Sequence, residues 1–331
     1  MKTAVIGSGS WGTALAQVLA DNDQPVALIG VNEEEIQDIN QNHKNSKYFP
    51  HTDLNPALKA TDNWDEIQDA DVILLAVPTQ AIESVASKAA QYVNHPVIFV
   101  NVAKGFNPKT DERMSEVIRR VVPKEKLSSV VSLIGPSHAE EVVERQLTSI
   151  DAISQSEKDA SIVQELFSNP YLRIYTGTDE IGSELGAAVK NVMAIASGII
   201  AGLGYKDNTR AALITRGLQE MIRFGTHFGG NPETFIGLTG VGDLIVTCSS
   251  ENSRNFQAGK QIGQENDVKH FLATNTKTTE GIRTAKVVHD LATAQKIDMP
   301  ICEEVYQILY EGKEPKNCAN DLMLRDLKKE F

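Results

Sequence analysis

The first half of the chain alternates short, continuous apolar runs with longer segments that repeat apolar residues every three or four positions. Continuous apolar runs are typical of strands buried on both faces, and the longer segments indicate helices. The predicted strands are residues 3–7, 25–30, 71–78, 96–102 and 129–135, with two more, 148–154 and 171–177, at one edge. The predicted helices between them are residues 14–21, 32–39, 79–93 and 111–122. This alternation predicts an α/β Rossmann-type domain built on a mostly parallel sheet.

The strand pattern fades near residue 180, and helical periodicity dominates the rest of the chain. The predicted helices are residues 181–203, 208–228, 254–264, 279–295 and 300–311. We therefore predict an all-α C-terminal domain and place the two domains at residues 1–184 and 185–331.

Capping residues mark some of these helices. Asn208 or Thr209 is expected to cap the helix 208–228, and Asn231 is expected to cap a helix that starts at the following proline. The segment 243–248, DLIVTC, fits either a short strand or the start of a helix.

Composition and charge narrow the class of protein. The formal net charge of −12 argues against binding to nucleic acid or to a membrane surface. No stretch reaches about 20 uninterrupted apolar residues, so membrane insertion is not expected. Three cysteines without paired spacing (Cys248, Cys302 and Cys318) indicate a reducing, cytoplasmic compartment, and seven scattered histidines give no metal-binding pattern.

The most specific motif of the first half is Gly7-Ser8-Gly9-Ser10-Trp11-Gly12, a G-x-G-x-x-G sequence. It follows a predicted strand and opens a predicted helix, which is the context of a dinucleotide fingerprint. Glycines at these positions let the backbone approach a pyrophosphate at the helix N-terminus.

The choice between NAD and NADP stays open. The position about 20 residues beyond the last glycine often carries an acidic residue that binds the ribose of NAD. Here it is Asn32, followed by Glu33, and no arginine lies at this place in the sequence to bind a 2′-phosphate.

Other polar residues follow later strands, at Thr79, Lys104 and Ser137. Ligands of open α/β sheets bind along this edge, so Lys104 is a candidate for the site. A solvated surface lysine explains Lys104 about as well.

Lys190 stands in the apolar run GAAVKNVMAIASGI. On a helix its own face carries the small residues Ser183, Gly186, Ala187, Ala194, Ser197 and Ala201, and the bulky residues, Met193 among them, mostly point elsewhere. This stripe indicates either room for a ligand above a catalytic lysine or a lysine whose small neighbours accommodate another helix.

A second polar cluster contains Asp243, which follows two glycines, and Ser253-Arg254-Asn255. Ser253 can cap a helix, which places Arg254 at the positive end of the helix dipole. An arginine there becomes sensible if an anion such as phosphate binds. The alternatives are a structural cap for Asp243 and a surface pair between Arg254 and Glu251.

These motifs together resemble the NAD(P)-dependent glycerol-3-phosphate dehydrogenases, the bacterial soluble type. The matching stretches are GSGSWGTALA, VAKGF, GPSHAEEVV, AAVKNVMAIASGIIAGLGYKDNTRAALITRGLQEM, GLTGVGDLIVTCSSENSRN and TTEGIRTAKVVHDLA, which span residues 7 to 290. The resemblance implies a dinucleotide-binding domain and a helical substrate-binding domain. It implies reduction of dihydroxyacetone phosphate to sn-glycerol 3-phosphate with NADH or NADPH, for phospholipid synthesis.

The resemblance also implies roles for particular residues. Lys190 matches the proton donor, with Lys104 and Asp243 as charged neighbours of the substrate. The substrate-contacting positions are Gly135, Ser137, Asn191, Thr247, Ser253, Arg254 and Asn255. The cofactor positions are Gly7, Gly9, Ser10, Trp11, Gly12, Lys104, Ala139, Arg254 and Glu280. Many relatives carry a basic residue where this chain has Val31-Asn32.

Two other functions compete with this one. A related β-hydroxyacid dehydrogenase would share the domain plan but take a carboxylate substrate, and a dinucleotide sensor would bind cofactor without turnover. His138 is a further candidate, as the acid/base of a lactate-type dehydrogenase, but no aspartate or arginine accompanies it in a recognisable arrangement. The oligomeric state is open, with a homodimer as one option.

Overall fold

The computed structural model describes residues 1–275, 279–327 and 329–330. The chain divides into two compact units, Met1–Glu184 and Leu185–Phe331.

The first unit contains an eight-stranded sheet in the order β3-β2-β1-β4-β5-β6-β7-β8. The strands are β1 Thr3–Ile6, β2 Val26–Ile29, β3 Lys59–Thr61, β4 Val72–Leu75, β5 Val97–Asn101, β6 Leu127–Ile134, β7 Thr148–Ile153 and β8 Leu172–Gly177. Neighbouring strands are parallel except β6 and β7, which are antiparallel. The predicted mostly parallel Rossmann-type sheet is confirmed, and β7 and β8 lie at one edge as expected.

Helices cover both faces of this sheet. They are α1 Ser10–Asp21, α2 Glu33–Gln37, α3 Thr79–Tyr92, α4 Met114–Val121, α5 Ala139–Val143 and α6 Glu157–Phe167. Alternate strand residues serve the two faces: Val5 and Leu74 belong to the core that contains Leu15 of α1. Ile73 belongs to the opposite core, with Ile82 of α3. Burial on both faces explains the continuous apolar runs in the sequence.

The sequence did not predict β3, α5 and α6. β3 has only three residues and begins at the exposed Lys59, so it lacks an apolar run. The helix predicted at 111–122 begins instead at Met114. Asp111 has a left-handed φ of 56°, which a helix cannot accommodate.

The second unit is helical. Its helices are α7 Glu180–Gly202 (whose first five residues belong to the first unit), α8 Asp207–His227, α9 Pro232–Phe235, α10 Asp243–Ser249, α11 Arg254–Glu265, α12 Lys269–Thr274, α13 Glu280–Gln295, α14 Pro300–Tyr306 and α15 Pro315–Met323. The segment DLIVTC is therefore helix, in α10.

One predicted cap is wrong and one is right. The helix α8 starts at Asp207 with Lys206 at the capping position, so neither Asn208 nor Thr209 caps it. The side chain of Asn231 accepts a hydrogen bond from the backbone N–H of Glu233 at 3.0 Å and caps α9 as expected.

Four glycines let α7 and α11 pack backbone against backbone; we call them the glycine seam (Gly198, Gly202, Gly259 and Gly263). A Cβ atom at Gly198 would lie 2.0 Å from the carbonyl oxygen of Phe256, and one at Gly259 would lie 2.0 Å from that of Ile195. The other two glycines meet opposing carbonyl oxygens at 2.2 Å. The seam therefore fixes α11 along its length against the C-terminal part of α7.

The length and composition of α7 are sufficient to cross a membrane, with a mean hydropathy of 1.5. However, 89% of its most apolar window is buried inside the protein. A buried core helix of a globular protein has the same composition, so this helix is weak evidence for a membrane span.

Candidate active site

The glycine-rich turn between β1 and α1 has the geometry of a dinucleotide cradle. A Cβ at Gly12 would lie 1.9 Å from the carbonyl oxygen of Gly7, and Gly7 itself has a φ of 117°. Both glycines are therefore required by the turn. At Gly9 a Cβ would meet no atom within 4 Å, and no side chain caps α1. The open space and the uncapped N–H groups fit a pyrophosphate, with Ser10 and Trp11 half-buried at the start of the helix.

A polar group beside this turn was missed by the sequence analysis. The Ser8 hydroxyl donates to a carboxylate oxygen of Glu35 at 2.8 Å, and the Lys47 ammonium donates to the other oxygen at 2.7 Å. Glu35 is only 8% exposed. Counting 20 residues from the last glycine led to Asn32, whose side chain caps α2 by accepting from the Glu35 N–H. A search that extended into the first turn of α2 would have found Glu35.

The structure brings Lys104, Gly135 and Ser137 together within the first unit. The Lys104 ammonium and the Ser137 hydroxyl both donate to the Gly135 carbonyl oxygen, at 3.1 Å each. The buried Asn101 ties down the loop before Lys104, because its side chain accepts from the N–H of Ala103 at 3.0 Å and donates to the same residue's carbonyl oxygen at 3.2 Å. Lys104 is thus held at the end of β5 rather than extended into solvent.

Ala139 and His138 follow the same loop. Ala139 is the first residue of α5 and is buried, and His138 occupies the capping position without a side-chain cap. This position of His138 before α5 adds no support to an acid/base role for it.

In the second unit Lys190 lies at the centre of a buried polar triad. Its ammonium donates to a carboxylate oxygen of Asp243 at 2.5 Å and to the Thr247 hydroxyl at 2.7 Å. Lys190 is 3% exposed and Asp243 1% exposed. The Thr247 hydroxyl also donates to the Asp243 backbone carbonyl at 2.6 Å, so it is oriented to accept from Lys190. A buried ammonium held by a carboxylate can protonate or stabilise an oxyanion.

The stripe of small residues beside Lys190 is partly filled by protein. The Ser197 hydroxyl donates to the carbonyl oxygen of Cys248 in α10 at 2.8 Å, and a Cβ at Gly186 would lie 3.3 Å from the carbonyl oxygen of Thr239. Here the small side chains accommodate neighbouring backbone, as the second of the two interpretations of the stripe expects. Burial raises the pKa of the Cys248 thiol to about 12, so this thiol stays protonated beside Lys190.

Asn191 and Asn255 connect three helices. The Asn255 amide donates to the Asn191 side-chain oxygen at 3.0 Å, and the Asn255 side-chain oxygen accepts from the N–H of Gly281 at 2.9 Å. Both residues are buried, so their first role is to join α7, α11 and the start of α13. Glu280 is the first residue of α13.

The start of α11 has the predicted cap. The Ser253 hydroxyl accepts from the N–H of Phe256 at 3.2 Å and caps the helix, and Arg254 is the first helical residue and is exposed. Glu251, proposed above as a surface partner of Arg254, is paired with Lys260 at 2.8 Å instead. Arg254 therefore lies at the positive end of the helix dipole, where an anion is favoured.

This architecture, a parallel sheet with a glycine cradle followed by a helical unit with a buried lysine–aspartate pair, defines the class of two-domain dinucleotide-dependent dehydrogenases. Residues 2–160 match the N-terminal profile, and residues 179–320 the C-terminal profile, of NAD-dependent glycerol-3-phosphate dehydrogenase. The chain belongs to this family.

Similar proteins match nearly the whole chain. Glycerol-3-phosphate dehydrogenase [NAD(P)+] of Enterococcus faecalis is 47% identical over 99% of this chain and 97% of its own. The enzyme of the same name from Bacillus pumilus is 46% identical, over 98% of this chain and 94% of its own. The crystal structure of glycerol-3-phosphate dehydrogenase from Coxiella burnetii is similar with a TM-score of 0.90 and 33% identity, covering 98% of this chain and 99% of that one.

Proposed function

We propose that the protein catalyses the reversible reduction of dihydroxyacetone phosphate to sn-glycerol 3-phosphate with NADH or NADPH. The observation that carries this proposal is the buried contact of Lys190 with Asp243 at 2.5 Å. Burying two charges among helices is costly, and a structural role would be served as well by apolar residues. A carbonyl reductase needs such an ammonium, since negative charge develops on the substrate oxygen.

Each residue of the proposed site has its own role. When bound, the nicotinamide supplies the hydride to the ketone carbon. Lys190 stabilises the charge on the carbonyl oxygen and donates the proton, and in the reverse direction it is the base. Asp243 favours the charged ammonium form, and Thr247 orients it. Lys104, held at the end of β5, adds positive charge for the anionic ligands.

The phosphate of the substrate is bound by Arg254 and the N–H groups at the start of α11. Contacts to a phosphate distant from the reacting carbon orient the substrate and contribute to catalysis. The side chain of Asn255 is hydrogen-bonded to Asn191 and Gly281. It therefore contributes to substrate binding by holding Arg254 in place.

The test is an absorbance assay of NADH and NADPH oxidation with dihydroxyacetone phosphate, and with 2-oxo and 3-oxo acids as competing substrates. Lys190→Ala is expected to lower kcat by roughly 10²–10⁴-fold, the usual effect of losing an acid/base group. Lys286→Ala is the matched control, since that lysine is half-buried and pairs with Asp290 in the same helix. Preference for an oxo acid, or normal turnover by Lys190→Ala, would refute the proposal.

We further propose that this activity supplies phospholipid synthesis in the cytoplasm. The chemistry of the product, a phosphorylated glycerol ready for acylation, supports the first part. A homodimer rests on the family resemblance alone, and sedimentation of the purified protein tests it.

A further inference from the structure

Ser8, Glu35 and Lys47 form a hydrogen-bonded group, the Glu35 cluster, that joins two loops at the carboxyl edge of the sheet. Ser8 lies two residues beyond the end of β1, and Glu35 follows the end of β2 by six residues. The two strands are adjacent and parallel, with Ile6 opposite Ile29. A Cβ at Gly30 would lie 2.8 Å from the Ser8 hydroxyl oxygen, so the loops touch here.

This place is where the adenosine ribose of a dinucleotide lies in a fold of this kind. The glycine turn holds the pyrophosphate, and the tip of the second strand lies beside the ribose hydroxyls. NADH and NADPH differ only at this ribose, where NADPH carries a 2′-phosphate. The charges of the Glu35 cluster therefore bear on the choice between the two cofactors.

The local charge is unfavourable for the 2′-phosphate of NADPH. Val31 and Asn32, at the tip of β2, are uncharged, and Val31 is 94% exposed. Lys47 supplies positive charge, but its ammonium is already bound to Glu35 at 2.7 Å. Its hydrogen bond to Glu35 raises the pKa of Lys47, which favours the charged ammonium form. A 2′-phosphate would have to compete with this carboxylate for the lysine.

We propose that Glu35 makes the protein selective for NADH over NADPH, by occupying Lys47 and by placing a carboxylate beside the ribose. This inference rests on the proposed function for its site but concerns cofactor choice alone. Ser8 is a positioning residue in it, because its hydroxyl fixes the orientation of the Glu35 carboxylate.

Two variants should move the cofactor ratio in opposite directions. Glu35→Gln keeps the shape but removes the charge and frees Lys47. The ratio of kcat/KM for NADH to that for NADPH should therefore fall about tenfold, as expected for one charge a few ångströms from a phosphate. Lys47→Met leaves the carboxylate unopposed, so the ratio should rise several-fold.

Glu33→Gln is the matched control. It removes the same charge from the same helix. Glu33 lies two residues before Glu35, so its side chain lies on another face of the helix, where it accepts a hydrogen bond from Gln37 at 3.0 Å. Its ratio should stay within about twofold of the wild-type value, because screening weakens an exposed charge on another face.

Dissociation constants of NADH and NADPH, measured by calorimetry on the full chain, give a second readout that needs no turnover. If dihydroxyacetone phosphate is not reduced but NADH binds more tightly and Glu35→Gln removes the difference, the proposed function fails and the Glu35 assignment stands. Wild-type protein that prefers NADPH, or a ratio that neither variant changes, would overturn the assignment. Melting curves identify a variant that does not fold, and the other variant then decides.

Discussion

From the glycine seam we predict that one methyl group added there, outside the polar triad, will lower the catalytic rate. In Gly259→Ala the new Cβ would start 2.0 Å from the carbonyl oxygen of Ile195, which is backbone and cannot rotate away. Ordinary carbon–oxygen contacts need about 3.2 Å or more, so α11 must move away from α7 by about 1 Å.

The displacement reaches the site because Asn255 lies one helical turn before Gly259. Its hydrogen bond to Asn191 is 3.0 Å long and would be lost on such a shift, and Arg254 would move with it. Overpacking of this kind costs about 1–3 kcal/mol of unfolding free energy. A misplacement of about 1 Å can lower the rate by about 10²-fold.

The assay is kcat/KM for dihydroxyacetone phosphate together with urea unfolding of the same preparations. Gly237→Ala is the control, because its Cβ would lie 3.4 Å from the nearest atom, the carbonyl oxygen of Thr234, which is ordinary contact. Both effects should appear in Gly259→Ala and neither in the control. Wild-type activity and stability in Gly259→Ala would show that the seam does not position the site.

Three further predictions follow from individual side chains. Burial raises the pKa of Glu220 from 4.5 to about 7, so the folded protein binds more protons than the unfolded chain between these pH values. The unfolding free energy should therefore fall by about 3 kcal/mol as the pH rises through this window. Glu220→Gln should flatten that decline in urea melts, and an unchanged slope would contradict the assignment. Asn101→Ala frees the loop at Ala103, so Lys104 loses its position and kcat/KM should fall about tenfold. NADH affinity and turnover are measured separately. An unaltered kcat/KM would argue that other contacts hold the loop. Arg254→Ala should raise KM for dihydroxyacetone phosphate by roughly 10–100-fold, as for loss of a charge-assisted phosphate contact. Its kcat/KM for unphosphorylated dihydroxyacetone should be unchanged, and an equal loss on both substrates would exclude phosphate binding as its role.

The sequence was sufficient for most of the sheet because its strands are buried on both faces and read as unbroken apolar runs. It was insufficient for β3, whose three residues pair at the edge and include an exposed lysine. Helix α4 likewise starts late because of the backbone at Asp111, and a hydrophobic pattern carries no information on φ.

The candidate site was only partly predictable. Lys190 was conspicuous in its apolar run, but its contact with Asp243 joins residues 53 positions apart and depends on how the helices pack. The same packing fills part of the small-residue stripe with α10, which periodicity alone cannot show. Glu35 was missed because its side chain reaches back from α2 to Ser8, whereas the motif count stops at the strand tip.

The buried Lys190–Asp243 pair also has an evolutionary consequence. Replacing a buried ion pair with apolar residues of similar volume is often neutral or stabilising by about 1–4 kcal/mol, whereas removing one partner alone is strongly destabilising. A descendant released from selection for activity would thus gain stability by losing both charges, but only through an intermediate less stable than either end point. The pair is a barrier to neutral drift, and a homologue that carries two apolar residues at these positions would be recognisable as a former enzyme.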